Sequence, residues 1–162
     1  LAVVSHSPAA TRAIESSPVR SNFMNLKVYR KSAAKFENPT TPAVSIIYSL
    51  RVALDMLKKE GQPAFVERHE KMAAHVRARL QQMGFKLVTE PGFESSTVTA
   101  FFCQKNKEVN AKLQSDYSVK LGGGHADWAD TTLRFCNMGD VDMERIGKGL
   151  DALERVKKEL DV

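Results

Sequence analysis

Residues 132 to 139 read TLRFCNMG, and this stretch decides how the C-terminal part of the chain folds. Leu133 and Phe135 flank Arg134, an alternation with the period of two that is typical of a half-buried β-strand. An arginine on a strand beside a loop can offer its planar guanidinium to a carboxylate through two parallel hydrogen bonds. The same alternation predicts an ordinary arginine on the solvent face, and the residues alone favour that simpler interpretation.

The elements around this strand predict an α+β domain. Residues 97 to 103 are rich in β-branched and aromatic side chains and predict a further strand, whereas residues 140 to 160 predict an amphipathic helix. Shorter elements are expected as strands at 85–88 and 119–121, a helix at 107–114, and a loop at Gly122-Gly123-Gly124. The expected architecture is a small, mostly antiparallel sheet with helices packed on one face.

The first half of the chain predicts helices joined by irregular segments. Residues 1 to 4 predict a buried strand, and Ser7-Pro8 predicts the start of a short helix that ends near Glu15. The remaining expectations are an extended connection at 16–41, a helix from Thr41-Pro42 to Gly61, and a second helix from Pro63 to Gly84. These two helices together leave a wide apolar face that another surface must cover.

Two further places could carry chemistry. Thr40 and Thr41 lie at the expected N-terminus of a helix, where hydroxyl and main-chain N–H groups can bind an anion, although their spacing alone clearly favours an ordinary helix cap. Gly122-Gly123-Gly124 lacks the spacing of a phosphate-binding loop. His125 and Asp127 have no third ligand in a credible pattern, so they are interpreted as solvated loop residues and no metal site is predicted.

The overall composition bounds the class of protein. The chain has 162 residues, of which 43% are hydrophobic and 27% charged, as in an ordinary soluble domain. The formal net charge is +5, but basic residues are mixed with acidic ones, so no nucleic-acid partner is expected. Neither a membrane span nor a secretory leader is recognised, and a cytoplasmic location is expected. Cys103 and Cys136 lie in apolar stretches and predict two buried thiols.

Three stretches together resemble the class V aminotransferases of fold type I, which depend on pyridoxal 5'-phosphate, and in particular their alanine–glyoxylate/serine–pyruvate branch. They are LAVVS with Ser7-Pro8, the segment NPTTPAVSIIYSL at residues 38–50, and TLRFCNMG. The resemblance covers essentially the whole chain. It implies the C-terminal small domain of such a transferase with a short tail of the large domain. Residues 1–41 would end the large domain and its connection, and residues 42–162 would form the linker helix and small domain.

The resemblance also implies roles for individual residues. Arg134 matches the arginine that binds the substrate α-carboxylate. Thr40 or Thr41 matches the segment that contacts the cofactor phosphate across the interface of a homodimer. The implied reaction moves an amino group from alanine or serine to glyoxylate or pyruvate. Cys136 and Asn137 depart from the family, which usually has glycine and histidine there, so the substrate is left open.

No lysine of the chain matches the Schiff-base lysine of the family, which is expected upstream of Leu1. The chain is therefore expected to be a fragment that is inactive by itself, while the full-length protein is an enzyme. Two other readings stay open. One is a class V relative with different chemistry, such as a desulfurase or a phosphonate-amine transaminase. The other is a stand-alone regulatory or interaction domain that binds a small anion.

Overall fold

The computed structural model describes residues 2–18 and 21–162, which form two units. The first extends to Lys59 and the second from Glu60 to Val162. Residues 2 to 4 are exposed and belong to no strand, so the predicted opening strand is wrong over its described part, and Leu1 lies outside the described residues. A strand needs a hydrogen-bonding neighbour, and no described residue pairs with this segment. The predicted boundary after residue 41 refers to the domains of a whole transferase and stays a prediction.

The predicted first helix is confirmed as α1, Pro8–Ser16. The hydroxyl of Ser7 accepts a hydrogen bond from the N–H of Ala10 at 3.2 Å, and Pro8 occupies the first turn, where its missing N–H is not needed. The helix ends before Pro18, as expected from the restriction that proline places on the preceding residue.

A second helix, α2, spans Leu26–Ala33 and corrects the prediction of an extended connection at residues 16–41. The side chain of Asn25 caps it by accepting from the N–H of Lys27 at 3.0 Å. Two contacts from outside the helix hold it in place: Lys27 Nζ donates to the carbonyl of Ser17 at 2.8 Å, and Arg30 forms an ion pair with Glu15. A helix of eight residues spans only about two turns, which is too short for a sustained period in the sequence.

The third helix, α3, spans Val44–Glu60 and begins two residues later than predicted. It is rich in apolar residues, yet it has no buried residue. Ile47, Leu50 and Leu54, which belong to the predicted apolar stripe, are 46%, 38% and 47% exposed. These apolar side chains of α3 are therefore exposed in the described structure.

The second unit contains the predicted sheet and its helices. Its helices are α4, Gln62–Gln82; α5, Asn106–Tyr117; and α6, Met143–Leu160. Its strands are β1, Val98–Phe102; β2, Gly122–Gly123; and β3, Thr132–Cys136. The order is β1-β3-β2, and both pairings are antiparallel. The predicted α+β class is confirmed.

The central strand β3 separates an apolar face from a polar one. Leu133 and Phe135 are 1% and 4% exposed and pack into one core with Phe101 of β1. Arg134, between them, is half-buried on the opposite face. The core is completed by apolar residues of the three helices, namely Met72, Ala73, Val76, Leu80, Val109, Leu113, Ile146, Leu150, Leu153 and Val156.

Two helix ends in this unit follow the sequence signals. Gly84 has φ +85° after α4, and the N–H of Phe85 donates to the carbonyl of Leu80 at 3.0 Å, which is the pattern of a glycine-terminated helix. At the start of α6, a carboxylate oxygen of Asp142 accepts from the N–H of Arg145 at 2.8 Å. α6 begins at Met143, three residues after the predicted start.

The short strands were predicted less well. Residues 85–88 contribute an isolated bridge between Leu87 and Phe101, and residues 119–121 form no strand. The side chain of Asn110 instead takes the place of a strand partner, donating to the carbonyl of Leu121 and accepting from its N–H, both at 2.9 Å. The predicted loop at Gly122-Gly123-Gly124 is wrong at its first two residues, which form β2.

No helix of the described ranges is long and apolar enough to cross a membrane.

Gly124 follows β2 where the backbone of the next turn approaches closely. A Cβ at this position would lie 2.1 Å from the carbonyl oxygen of Trp128 and 2.3 Å from Oγ1 of Thr132. The same atom at Gly123 would meet nothing within 4 Å. The two adjacent glycines therefore form a matched pair of positions, one crowded and one open.

Gly124→Ala is expected to lower the free energy of unfolding by about 3 kcal/mol, because the backbone must move to admit the methyl group. Gly123→Ala is the control, and its effect should stay within about 1 kcal/mol, since both variants change the unfolded chain alike. Urea denaturation of the chain measures both. Equal stability of the two variants would contradict the close approach at Gly124.

Candidate functional site

The candidate site is centred on Arg134 in the middle of β3. The register places Ala100 of β1 on one side of Arg134 and Gly122 of β2 on the other. The arginine side chain lies against Gly122, where an added Cβ would be 3.4 Å from its Nε. Nε itself donates to the carbonyl of Gly123 at 2.8 Å. Small residues on both neighbouring strands therefore leave room for the guanidinium beside the sheet surface.

His125 is part of this site, although the sequence suggested a solvated loop residue. Its Nε2 lies 3.0 Å from Nη2 of Arg134. The loop after β2 brings the imidazole back to the strand that carries the arginine. Sequence reasoning missed both His125 and the carbonyl of Gly123. The signal that was available is a run of three glycines followed directly by a histidine, upstream of an arginine on a strand.

The electrostatic setting of Arg134 differs from that of two other partly buried arginines, Arg68 and Arg79. Arg68 forms an ion pair with Glu60 at 2.5 Å, and Arg79 contacts Asp151 and Glu154 at 2.9 and 3.1 Å. Those contacts raise the pKa of both guanidinium groups, chiefly through the hydrogen bonds to their carboxylate partners. Within residues 2–18 and 21–162, Arg134 forms no ion pair, and its Nη1 makes no hydrogen bond. This arrangement can bind an external carboxylate.

Cys136, the last residue of β3, and Asn137, which follows it, lie in different environments. Asn137 is fully buried, and its Nδ2 donates to the carbonyls of Ser96 at 2.9 Å and His69 at 3.3 Å. Its side chain therefore links three segments of the interior. Cys136 is exposed and, by strand alternation, lies on the same face of the sheet as Arg134. The prediction of two buried thiols is wrong for Cys136, because the apolar neighbours that suggested burial lie on the other face.

Cys103 is buried as predicted, with 2% of its surface exposed. Burial raises the pKa of this thiol to about 11, and the positive charge of Lys157 offsets part of that effect. A protonated, buried thiol is a poor nucleophile. Cys103 therefore does not have the character of a catalytic cysteine.

The two cysteines are expected to react very differently with iodoacetamide. At pH 8 the thiolate fraction of a group with a pKa of about 11 is on the order of one in a thousand. Cys136 should be alkylated first and Cys103 at least about 100-fold more slowly, with a rate that rises as pH approaches 11. Mass spectrometry of the Cys103→Ser and Cys136→Ser variants assigns each rate. Equally fast labelling of both thiols in the folded chain would contradict the burial of Cys103.

Thr40 and Thr41 belong to the first unit and are both exposed, shortly before the first residue of α3. The N–H of Ile47 donates to the carbonyl of Ala43 at 3.0 Å, so the hydrogen bonds of α3 begin at Ala43. The predicted cap at Thr41 is therefore wrong, and both threonines lie in the segment just before the helix. The phosphate role of either residue stays a prediction, as does the carboxylate role of Arg134.

Comparison with curated proteins shows similarity to aminotransferases. The chain is 33% identical over 125 residues to a serine–glyoxylate aminotransferase of Hyphomicrobium methylovorum, covering 75% of this chain and 31% of that protein. It is 32% identical over 142 residues to an uncharacterized aminotransferase of Methanocaldococcus jannaschii, covering 85% and 37%. It is also 30% identical over 162 residues to the small subunit of a soluble hydrogenase of Synechococcus sp., covering 99% and 42%.

Solved structures match the fold over nearly the whole chain. An alanine–glyoxylate aminotransferase of Nostoc sp. has a TM-score of 0.84 at 23% identity, over 93% of this chain and 42% of that one. A ureidoglycine–glyoxylate aminotransferase of Bacillus subtilis has a TM-score of 0.85 at 22% identity, over 95% and 41%. At these identities the likeness shows the fold alone. No family model matches the chain.

These comparisons confirm the resemblance to the class V aminotransferases of fold type I. The chain is a homologue of the serine– and alanine–glyoxylate aminotransferases. It spans less than half the length of the curated relatives it matches.

Proposed function

We propose that this chain is part of a pyridoxal 5'-phosphate-dependent aminotransferase. The full protein moves the amino group of a small amino acid, alanine or serine, to a 2-oxo acid, glyoxylate or pyruvate. The observation that carries the proposal is the guanidinium of Arg134, held on the sheet surface without an ion-pair partner in the described part of the chain. Relatives named as serine–glyoxylate aminotransferases support the reaction.

Arg134 suits both substrates of such a reaction. An amino acid and a 2-oxo acid each carry a carboxylate next to the carbon at which the amino group is exchanged. A guanidinium forms two parallel hydrogen bonds with a carboxylate and keeps its charge at every physiological pH. One arginine can therefore hold the donor and then the acceptor in the same orientation, which places the reacting carbon at a constant position.

The donor set of the first unit fits the phosphate of the cofactor. Thr40 and Thr41 offer exposed hydroxyls just before α3, and the positive end of a helix dipole favours an anion. The cofactor, when bound, supplies an electron sink for loss of the proton at the substrate α-carbon. In this proposal one of the two threonines contacts the cofactor phosphate across the interface of a homodimer.

The proposal also includes the part of the full protein that precedes this chain and its assembly. Its Schiff-base lysine lies upstream of Leu1, and the large domain ends at residue 41, so this chain is inactive by itself. The full protein is a cytoplasmic homodimer without a nucleic-acid or membrane partner. Reading the coding sequence upstream of Leu1 tests this organisation, since a long open frame with a lysine close to Leu1 is expected.

Arg134→Ala in the full-length protein is expected to raise the KM for amino acids about 10- to 100-fold, because the charge-assisted hydrogen bonds to the carboxylate are lost. Cofactor affinity should change little. Arg134→Lys should be intermediate, because an ammonium group keeps the charge but not the planar fork. Steady-state kinetics and cofactor titration by absorbance measure the two quantities.

Arg155→Ala is the matched control for that experiment, because Arg155 is exposed on α6 and forms no ion pair in the described part of the chain. Its KM should equal that of the wild type. A normal KM for Arg134→Ala would show that this arginine does not bind the substrate carboxylate.

Thr40→Ala and Thr41→Ala are expected to separate the two candidates for the phosphate contact. The variant that removes the contact should weaken cofactor binding about 10-fold, since a hydrogen bond to a charged group is lost. The corresponding Thr→Ser variant should restore it, because the hydroxyl is retained. Ser49→Ala is the control, since its hydroxyl already donates to the carbonyl of Ser45 within α3. Wild-type affinity in both alanine variants would contradict the phosphate role.

A hydrogenase role is the second candidate, because two relatives, 30% and 28% identical, are named as soluble hydrogenase subunits. The two functions are separable in one preparation of the full-length protein. Amino transfer from serine to glyoxylate is assayed beside hydrogen-dependent reduction of a dye. Hydrogen uptake that survives Arg134→Ala, with no amino transfer in the wild type, would favour the second candidate.

A further inference from the structure

The guanidinium of Arg134 is held at two of its atoms by groups that carry no negative charge. Nε donates to the main-chain carbonyl of Gly123 at 2.8 Å, and Nη2 lies 3.0 Å from Nε2 of His125. Gly122, which has no side chain, lies beside the same group. Because the guanidinium is rigid and planar, contacts at two of its nitrogens fix both its position and its plane.

The chemistry of the pair fixes the state of the histidine. A guanidinium can only donate hydrogen bonds, so Nε2 of His125 must accept. An imidazole nitrogen accepts only when it carries no proton, which requires neutral His125 with its hydrogen on Nδ1. A neutral acceptor orients the arginine without neutralising it. A carboxylate at the same place would orient the arginine but also compete with an incoming substrate carboxylate.

We propose that His125 is a positioning residue for Arg134. It holds the Nη2 end of the guanidinium, so that Nη1 and the remaining hydrogen of Nη2 form one prepared edge for a carboxylate. This inference rests on the proposed function, in which Arg134 binds the substrate. Without His125, the single contact from Nε to Gly123 leaves the outer nitrogens free to change direction, and part of the binding free energy is then used to order the side chain.

The kinetic test compares His125→Leu with His125→Gln in the full-length protein. Leucine removes the acceptor, and the KM for the amino acid should rise about three- to tenfold, which corresponds to the loss of one ordinary hydrogen bond. The kcat value and the cofactor affinity should change little. Glutamine offers a carbonyl oxygen as acceptor, so His125→Gln should restore most of the KM. Asp127→Asn is the control on the same loop and should behave as the wild type.

A spectroscopic measurement tests the contact without any activity. Long-range ¹H–¹⁵N spectra of the chain, recorded at about pH 8.5 where ordinary histidines are neutral, should show His125 with its proton on Nδ1. The Nε–H signal of Arg134 should be visible and slow to exchange, and His125→Leu should speed that exchange whereas His125→Gln should not. A proton on Nε2 of His125 in the wild type would overturn the proposal.

The outcomes separate this inference from the proposed function. If Arg134→Ala raises the KM but His125→Leu does not, the positioning role is wrong and the carboxylate role stands. A KM that rises in His125→Leu but is not lowered by glutamine shows a merely structural role and also overturns the inference. If neither Arg134→Ala nor His125→Leu affects the KM, the carboxylate site itself is wrong.

Discussion

The pairing of β3 with β1 is the constraint on which the rest of the second unit depends. It makes the side chains of β3 alternate between two faces, so Leu133 and Phe135 enter the core while Arg134 stays on the other side. A shift of the register by one residue would exchange these faces, placing a charge in the core and two apolar groups in water. The burial of the two apolar side chains, worth roughly 1.5–3 kcal/mol each, therefore also orients the candidate site.

Close packing of α6 on the sheet supports that strand from behind. A Cβ at Gly149 would lie 3.1 Å from Cζ of Phe135, so the glycine lets the helix approach the aromatic ring closely. At the end of β3, Asn137 ties the turn to the interior through its bonds to the carbonyls of Ser96 and His69. Arg134 therefore lies on a strand that is held by hydrogen bonds to β1 and β2, by its buried apolar face and by the turn that follows it. Rigid support of this kind is what a precise binding geometry requires.

Much of this unit was predictable from residue patterns, because its long elements have strong local signals. The alternation around Arg134, the apolar stripe of α6 and the glycine after α4 all predicted what the structure contains. The features that were missed depend on contacts between separate elements and not on a local residue pattern. β2 forms because Gly122 and Gly123 pair with β3, and α2 is held by contacts to residues at or just after α1. The place of His125 in the site depends on the fold, because Arg134 becomes its neighbour only when β3 pairs with β2.

The anchor for the Nε of Arg134 is a main-chain carbonyl, and this has a consequence for how such a site can evolve. Substitution at residue 123 exchanges a side chain, but every amino acid brings the same peptide oxygen, so no point mutation deletes that acceptor. The nearby side chains of His125 and Cys136, in contrast, can be replaced by a point mutation. In the proposed carboxylate site, selectivity for different acids can therefore diversify around an acceptor that mutation leaves in place.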